Sequence, residues 1–255
     1  MGKVIALFNQ KGGVGKTTTG VSLTCALHRM GRRVLLIDAD PQGHSTSGMG
    51  VDKDHAAPNI YNVLIEGVDA KLAVVKTQYG DVLPSNKGLF GAGIELAGVK
   101  DREYVLKNAL IPLKDNYDYI FVDCPALLEL LTLNALVAAD SLLIPVQCEY
   151  LALEGLSDLI TTIRMVKKTL NPDLEIEGIV LTMYDGRTNL SAQVVSEVKK
   201  YLKDKVYRSV IPRNVRLSEA PSHKKPVMAY DASSRGSIAY MTLAEELDAR
   251  CRARR

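Results

Sequence analysis

The chain has no tryptophan, and aromatic residues make up only 5% of it. That argues against a module that stacks bases or sugars on aromatic faces. Its four cysteines, Cys25, Cys124, Cys148 and Cys251, are widely scattered and form no C-x-x-C pair. Zinc-ribbon and dithiol-redox readings therefore have no support. A chain of 255 residues that is 47% hydrophobic can bury a sizeable core without a disulfide framework. The expectation is three core thiols and one exposed thiol, in a reducing compartment. No apolar run approaches the length of a membrane span. The N-terminus runs almost directly into Val4-Ile5-Ala6-Leu7-Phe8, with no basic stretch leading a long apolar one, so no signal peptide is expected. The chain is read as cytoplasmic. Repeats, low-complexity tracts and linkers rich in Pro, Gly or Ser are also missing, so residues 1–255 are expected to form one domain.

Net charge is small, +3, but unevenly placed. From Asp185 to the end, fifteen Lys and Arg stand against eight Asp and Glu, an excess of seven positive charges. The rest is slightly acidic. A basic C-terminal third is compatible with a polyanionic partner, and equally with solvated surface.

What the chain does have is a recurring strand and helix pattern. Short β-branched runs lie at Val4–Phe8, Val34–Ile37, Tyr119–Val122, Leu142–Val146, Gly178–Thr182 and Val206–Ile211. Most lack polar alternation, as expected of strands covered on both faces. Helical stretches lie between them, including Thr17–Met30, Leu153–Leu170 and Ser191–Lys203. The expected fold is α/β: a doubly wound, mostly parallel sheet with helices on both faces. Ser45 to Gly98 has mixed signals and is read as loops, short helices and one strand at Asp81–Leu83.

Three motifs carry chemistry. The first is Asn9-Gln10-Lys11-Gly12-Gly13-Val14-Gly15-Lys16-Thr17-Thr18, between an expected strand and an expected helix. Glycines there let backbone N–H groups turn inward around a phosphate. Lys16 would reach the β- and γ-phosphates, and the Thr17 hydroxyl would bind Mg²⁺. The second is Leu35-Leu36-Ile37-Asp38-Ala39-Asp40-Pro41-Gln42-Gly43, an apolar strand ending in two carboxylates, where open parallel sheets bind ligands. The third is Tyr119-Ile120-Phe121-Val122-Asp123-Cys124-Pro125, the form of a Walker B strand whose acid contacts Mg²⁺.

In the first motif Gln10 stands where the ordinary phosphate loop has glycine, and Lys11 stands beside it. This resembles the deviant P-loop of the ParA, MinD and nitrogenase iron-protein group. The stretches Ala138–Ser141, Ile144–Glu149, Thr188-Asn189 and Ile211–Ser222 narrow the resemblance to ParA/Soj partition ATPases, over nearly the whole chain. The resemblance implies an ATP- and Mg²⁺-dependent ATPase that dimerises when ATP-bound. Lys11 would reach across the dimer to the partner's nucleotide. Asp40 would orient the attacking water, with Lys11 and Lys16 as the other catalytic residues. Lys11 to Thr18, Pro212 and Asn214 would bind ATP, the last two flanking adenine. Thr17, Asp123 and Asp38 would serve the metal, Asp38 as a support for loop or ion. Arg187 and Arg216 match DNA-contacting positions. The partners implied are non-specific double-stranded DNA and a ParB-type centromere-binding protein, with a nucleoid-associated location in the cytoplasm.

The chain departs from the family at Ala126-Leu127-Leu128-Glu129, where small, rigid residues are usual, and this bears on switching. Three neighbouring readings fit the residues less well. A nitrogenase-type iron protein needs cysteines placed around a cluster, and Cys124 follows Asp123 in a different pattern. A sequence-reading repressor needs a helix-turn-helix, for which no room is expected before Val4. A MinD-like membrane-positioning ATPase remains the alternative. The basic terminus Leu247–Arg255 has only a thin apolar face, so no stable membrane association is expected.

Overall fold

The computed structural model describes residues 2–149 and 151–253. Eight strands form one sheet: β1 (Lys3–Leu7), β2 (Val34–Asp38), β3 (Val75–Thr77), β4 (Gly80–Leu83), β5 (Tyr119–Asp123), β6 (Ser141–Gln147), β7 (Glu175–Tyr184) and β8 (Val206–Pro212). Their spatial order is β3-β4-β2-β5-β1-β6-β7-β8. Every neighbouring pair is parallel except β3 and β4. The α/β sheet expected from the sequence is therefore present, with an antiparallel edge strand, β3, that the sequence did not suggest. Its burial pattern is half-open, and a three-residue edge strand leaves little periodic signal.

Alternate residues of β1 enter two different cores. Val4 and Ala6, with Phe8 just past the strand, face one, and Ile5 and Leu7 the other. Helices cover both, so the central strands are apolar throughout. The Lys16–Arg29 and Arg235–Ala253 helices cover the Ile5 side. Ile60–Ile65, Val105–Leu110, Leu130–Ala138, Leu151–Thr169 and Asn189–Leu202 cover the Val4 side.

All four cysteines are buried, so the expected exposed thiol is not found. Cys251 lies nearest the basic terminus. Its helix turns it inward, 3.6 Å from Glu177 and 3.7 Å from Lys3 Nζ. Glu177 is fully buried and pairs with Lys3, and it accepts the Ser141 hydroxyl at 3.0 Å. This polar knot pins the final helix to the starts of β1, β6 and β7.

The register places the chemistry. β1 lies between β5 and β6, the point where the chain switches from one half of the sheet to the other. Leu7 and Asp38 both pair with Asp123 in the ladders, so Asp38 and Asp123 end adjacent strands at the same level. The loop after β1 opens at that edge.

Candidate functional site

The loop from Phe8 to Gly15 leaves β1 and enters the Lys16–Arg29 helix. Gly13 and Gly15 take φ of +74° and +92°, a left-handed conformation that glycine alone adopts without strain. Asn9 anchors the loop from both sides. Its Nδ2 donates to the Pro145 carbonyl at 2.8 Å, and its Oδ1 accepts the Lys11 N–H at 2.9 Å. At the far side the Thr182 hydroxyl donates to the Val14 carbonyl at 2.9 Å. Neither Asn9 nor Thr182 was singled out from sequence. An Asn two residues before a loop N–H is a legible turn signal; the Thr182 contact joins distant elements and has no local signature.

Lys16 is buried, and its ammonium donates to the carbonyls of Asn9 at 2.9 Å and Lys11 at 3.3 Å. Burial pulls its pKa down, opposed by the charges of Asp123 and Asp40. Lys11 behaves differently. It is half-buried at the rim, and its Nζ lies 3.8 Å from Glu149, which also lies 3.7 Å from Arg213. Among the described residues nothing lies within 4 Å of where a Cβ on Gly12 or Gly13 would stand.

Two carboxylates close the floor. Asp123 is buried, and the Ser45 hydroxyl donates to its Oδ2 at 2.6 Å. Its Oδ1 is buried and has no hydrogen-bond partner among the described residues. Burial pushes its pKa up to about 6, held back by the hydroxyls of Ser45 and Thr17 and by Lys16. Asp38 is fully buried. Its Oδ2 accepts both the N–H and the hydroxyl of Thr46 at 2.7 Å, and its Oδ1 accepts the Asp40 N–H at 3.2 Å. Burial, then the neighbouring Asp123, raises its pKa to about 7. Its bonds reach Asp40 and Thr46, so it braces the loop between them. Asp40 is half-buried, and its carboxylate accepts the Gln42 N–H at 2.9 Å.

Asp123 Oδ1, buried and without a hydrogen bond among the described residues, and the nearby Thr17 hydroxyl would suit a hard divalent cation, which takes oxygen ligands. The open space above Gly12 and Gly13 fits a phosphate cradle.

Pro212 and Asn214 line a cleft of about 300 Å³ together with Gly15, Thr18, Met183 and Tyr240. Met183 sits at φ +53°, an uncommon conformation for its type. Asn214 also accepts the Arg216 N–H at 3.0 Å, capping the Val215–Glu219 helix. The cleft adjoins the phosphate loop and is the right size for a base and sugar. Arg187 and Arg216 lie elsewhere, on exposed surface. Arg187 pairs with Asp185 at 2.7 Å and holds that carboxyl well below its usual range. Arg216 pairs with Glu219 at 2.8 Å and Asp231 at 3.2 Å.

A glycine loop between a central parallel strand and a helix, with a buried lysine and strand-end acids, defines a P-loop nucleotide hydrolase. Comparison with known proteins agrees. The family model for the AAA domain matches residues 2–176. The chain is 56% identical to the sporulation initiation inhibitor protein Soj of Bacillus subtilis (strain 168), over 98% of this chain and 99% of that one. It is 51% identical to the chromosome partitioning protein ParA of Myxococcus xanthus (strain DK1622), over 97% and 88% of the two chains. A solved structure of cobyrinic acid a,c-diamide synthase from Mycobacterium smegmatis, with bound ADP and magnesium, superposes with TM-score 0.87 at 39% identity, covering 100% of this chain and 97% of that one. The chain belongs to the ParA/Soj family of P-loop ATPases. It is an ATPase, and its cofactors are ATP and Mg²⁺.

Proposed function

We propose that the chain is a nucleotide-switched dimer that binds duplex DNA of any sequence when ATP-bound. It acts in chromosome or plasmid partitioning, with a ParB-type centromere-binding protein stimulating hydrolysis. The observation that carries this reading is the division of labour between two lysines of one loop. Lys16 is buried and turned onto the loop, whereas Lys11 stands at its rim beside the open face of Gly12. A rim cation with nothing to do for its own nucleotide suits the nucleotide of a second subunit.

In this reading the amides of Gly12 to Thr18 and the Lys16 ammonium hold the phosphates. Thr17 and Asp123 hold the metal, with Asp38 bracing the floor. Mg²⁺, when bound, screens the charge of the phosphate oxygens. Pro212 and Asn214 flank the base. Asp40 orients the attacking water, and Lys11 from the second subunit stabilises charge on the transferring phosphoryl. Closing two chains face to face aligns the basic C-terminal thirds. Arg187 and Arg216 then turn from their own carboxylates to DNA phosphates, in a nucleoid-associated cytoplasmic protein.

The membrane-positioning reading gains less. Among the described residues no helix is long and apolar enough to cross a membrane. The apolar side of the Arg235–Ala253 helix, Tyr240, Leu243, Ala244, Leu247 and Cys251, is spent on the sheet.

Fluorescence anisotropy on two unrelated duplexes, across a salt series with ATP or ADP, tests the proposal. Binding should need ATP, ignore sequence and weaken steeply with salt, with a slope of about −0.9 per phosphate neutralised. Arg187→Ala or Arg216→Ala should weaken both duplexes alike and make the slope shallower. Tight binding to anionic liposomes with none to DNA would move the chain to the membrane-positioning class.

A further inference from the structure

Past the Asp40 loop the chain forms a short helix, His44–Gly48, whose adjacent hydroxyls grip both strand-end acids. Ser45 donates to Asp123 Oδ2 at 2.6 Å, and Thr46 donates its N–H and its hydroxyl to Asp38 Oδ2 at 2.7 Å. The Thr46 oxygen also accepts the Ser85 N–H at 2.9 Å, and the Ser85 hydroxyl donates to the Asp40 carbonyl at 2.8 Å. Asp38 closes the circuit by accepting the Asp40 N–H at 3.2 Å. Ser45, Thr46 and Ser85 are all fully buried, so water does not compete for these bonds. The turn between Asp40 and the helix has little freedom. Gly43 has φ +63°, and a Cβ there would stand 2.9 Å from the Ser85 carbonyl.

We propose that Ser45 and Thr46 are positioning residues that couple the metal-facing carboxylate of Asp123 to the loop carrying Asp40. The inference rests on the assignment of Asp123 to the metal. A Ser hydroxyl has one proton to donate. Spent on Oδ2, it fixes the plane of the Asp123 carboxylate and leaves Oδ1 without a hydrogen bond among the described residues. Because Ser45 and Thr46 are consecutive, a change at Asp123 is passed to Asp38, and through Asp38 and Ser85 to both the N–H and the carbonyl of Asp40. The loop that carries Asp40 is thereby set by the state of the metal-facing acid, without either hydroxyl touching the reacting atoms.

The two hydroxyls then have separable signatures. Ser45→Ala should raise the Mg²⁺ concentration for half-maximal binding of a fluorescent ADP analogue by about tenfold or more, the usual cost of losing a group that orients a metal ligand. Ser45→Thr, which keeps the donor, should restore it. Thr46→Val should leave that Mg²⁺ midpoint within about twofold while lowering kcat by about tenfold or more, and Thr46→Ser should recover the rate. The experiment is a Mg²⁺ titration of analogue fluorescence for each variant, with single-turnover hydrolysis in parallel. Thermal melting of the ligand-free proteins confirms that each is folded. Asp123→Asn serves as the reference. If Asp123→Asn shifts the midpoint and Ser45→Ala does not, the coupling is refuted while the metal assignment stands. If neither shifts it, the assignment of Asp123 falls, and the inference with it. Loss of metal affinity in Thr46→Val equal to that in Ser45→Ala would also overturn the division of roles.

Discussion

Lys16 and Lys11 share one loop but meet different surroundings, and the difference sets what each substitution should do. Lys16 lies among loop carbonyls and buried acids. Lys16→Ala should lower ATP turnover by about 10²-fold or more through lost phosphate binding; isothermal titration with a non-hydrolysable analogue checks the binding step. Asp40 is half-buried at the loop rim, and Asp40→Ala should slow hydrolysis by about 10²-fold while ATP still binds. Retained single-turnover rate with lost ATP affinity would contradict the role given to it. Asp38 and Asp123 add a pH signature. Their folded pKa values, about 7 and about 6, lie above the ordinary carboxylate value of roughly 4. The folded chain thus holds more protons than the unfolded one between about pH 4 and 7. The stability these acids contribute is full below the unfolded value and is lost as pH rises through 6 to 7. Asp38→Asn removes one of the two charges, so its melting temperature should gain on that of the parent as pH rises from about 5 to 8. Parallel melting curves across that range would refute the assignment of buried charge.

At the scale of elements, the Leu130–Ala138 helix shows how a nearly apolar segment is held in place. Its last carbonyls would be stranded in the core. Asn171 supplies them from the loop after the next helix, with its Nδ2 donating to Leu136 and Ala139 at 2.9 Å and to Val137 at 3.3 Å. Asn171→Ala should cost about 1–3 kcal/mol by leaving those buried acceptors unpaired; urea unfolding measures it, and a change within about 0.5 kcal/mol would contradict the capping role. Contacts of this kind mark where the sequence stops being legible. The central strands read directly, because both their faces are buried and their residues are uniformly apolar. The boundaries moved slightly: Phe8, expected in the strand, already belongs to the loop, although its N–H still donates to Leu143 at 3.1 Å. The phosphate loop read directly too, since glycine spacing is dictated by backbone geometry. The Ser45–Gly98 stretch read only coarsely: loops, short helices and a strand at Asp81–Leu83 are what the structure has, with β4 as that strand, but the bounds of the helices were not legible. Its helices are short, such as Ile60–Ile65 and Ala70–Ala73, and each depends on neighbours distant in sequence for its burial. Ser45, Thr46 and Ser85 were hidden for the same reason. A buried hydroxyl paired with a remote carboxylate leaves no periodic trace, and the same holds for Glu149 beside Lys11.

At the scale of the whole molecule, charge and shape divide the chain's surface. The positive excess after Asp185 is partly masked, since Arg187 and Arg216 each rest on acids of the same chain. On the proposed function, DNA phosphates would have to displace these exposed ion pairs, each of small net worth, and the salt dependence would come from counterions released from the DNA. Gly12 gives a separate handle on assembly. Among the described residues no heavy atom lies within 4 Å of a Cβ at that position, so Gly12→Val should leave an intact monomer that binds ATP but fails to dimerise in analytical ultracentrifugation. Dimerisation equal to the parent's would argue against a face-to-face arrangement. The most direct test of the two-chain reading is ATPase rate per chain against protein concentration, for the parent and for Lys11→Ala, with nucleotide binding measured alongside. In the parent the rate per chain should climb with concentration to a plateau. In Lys11→Ala it should stay low and flat, while the monomer still binds nucleotide. A parent rate per chain that is independent of concentration and survives in Lys11→Ala would contradict hydrolysis shared between two subunits.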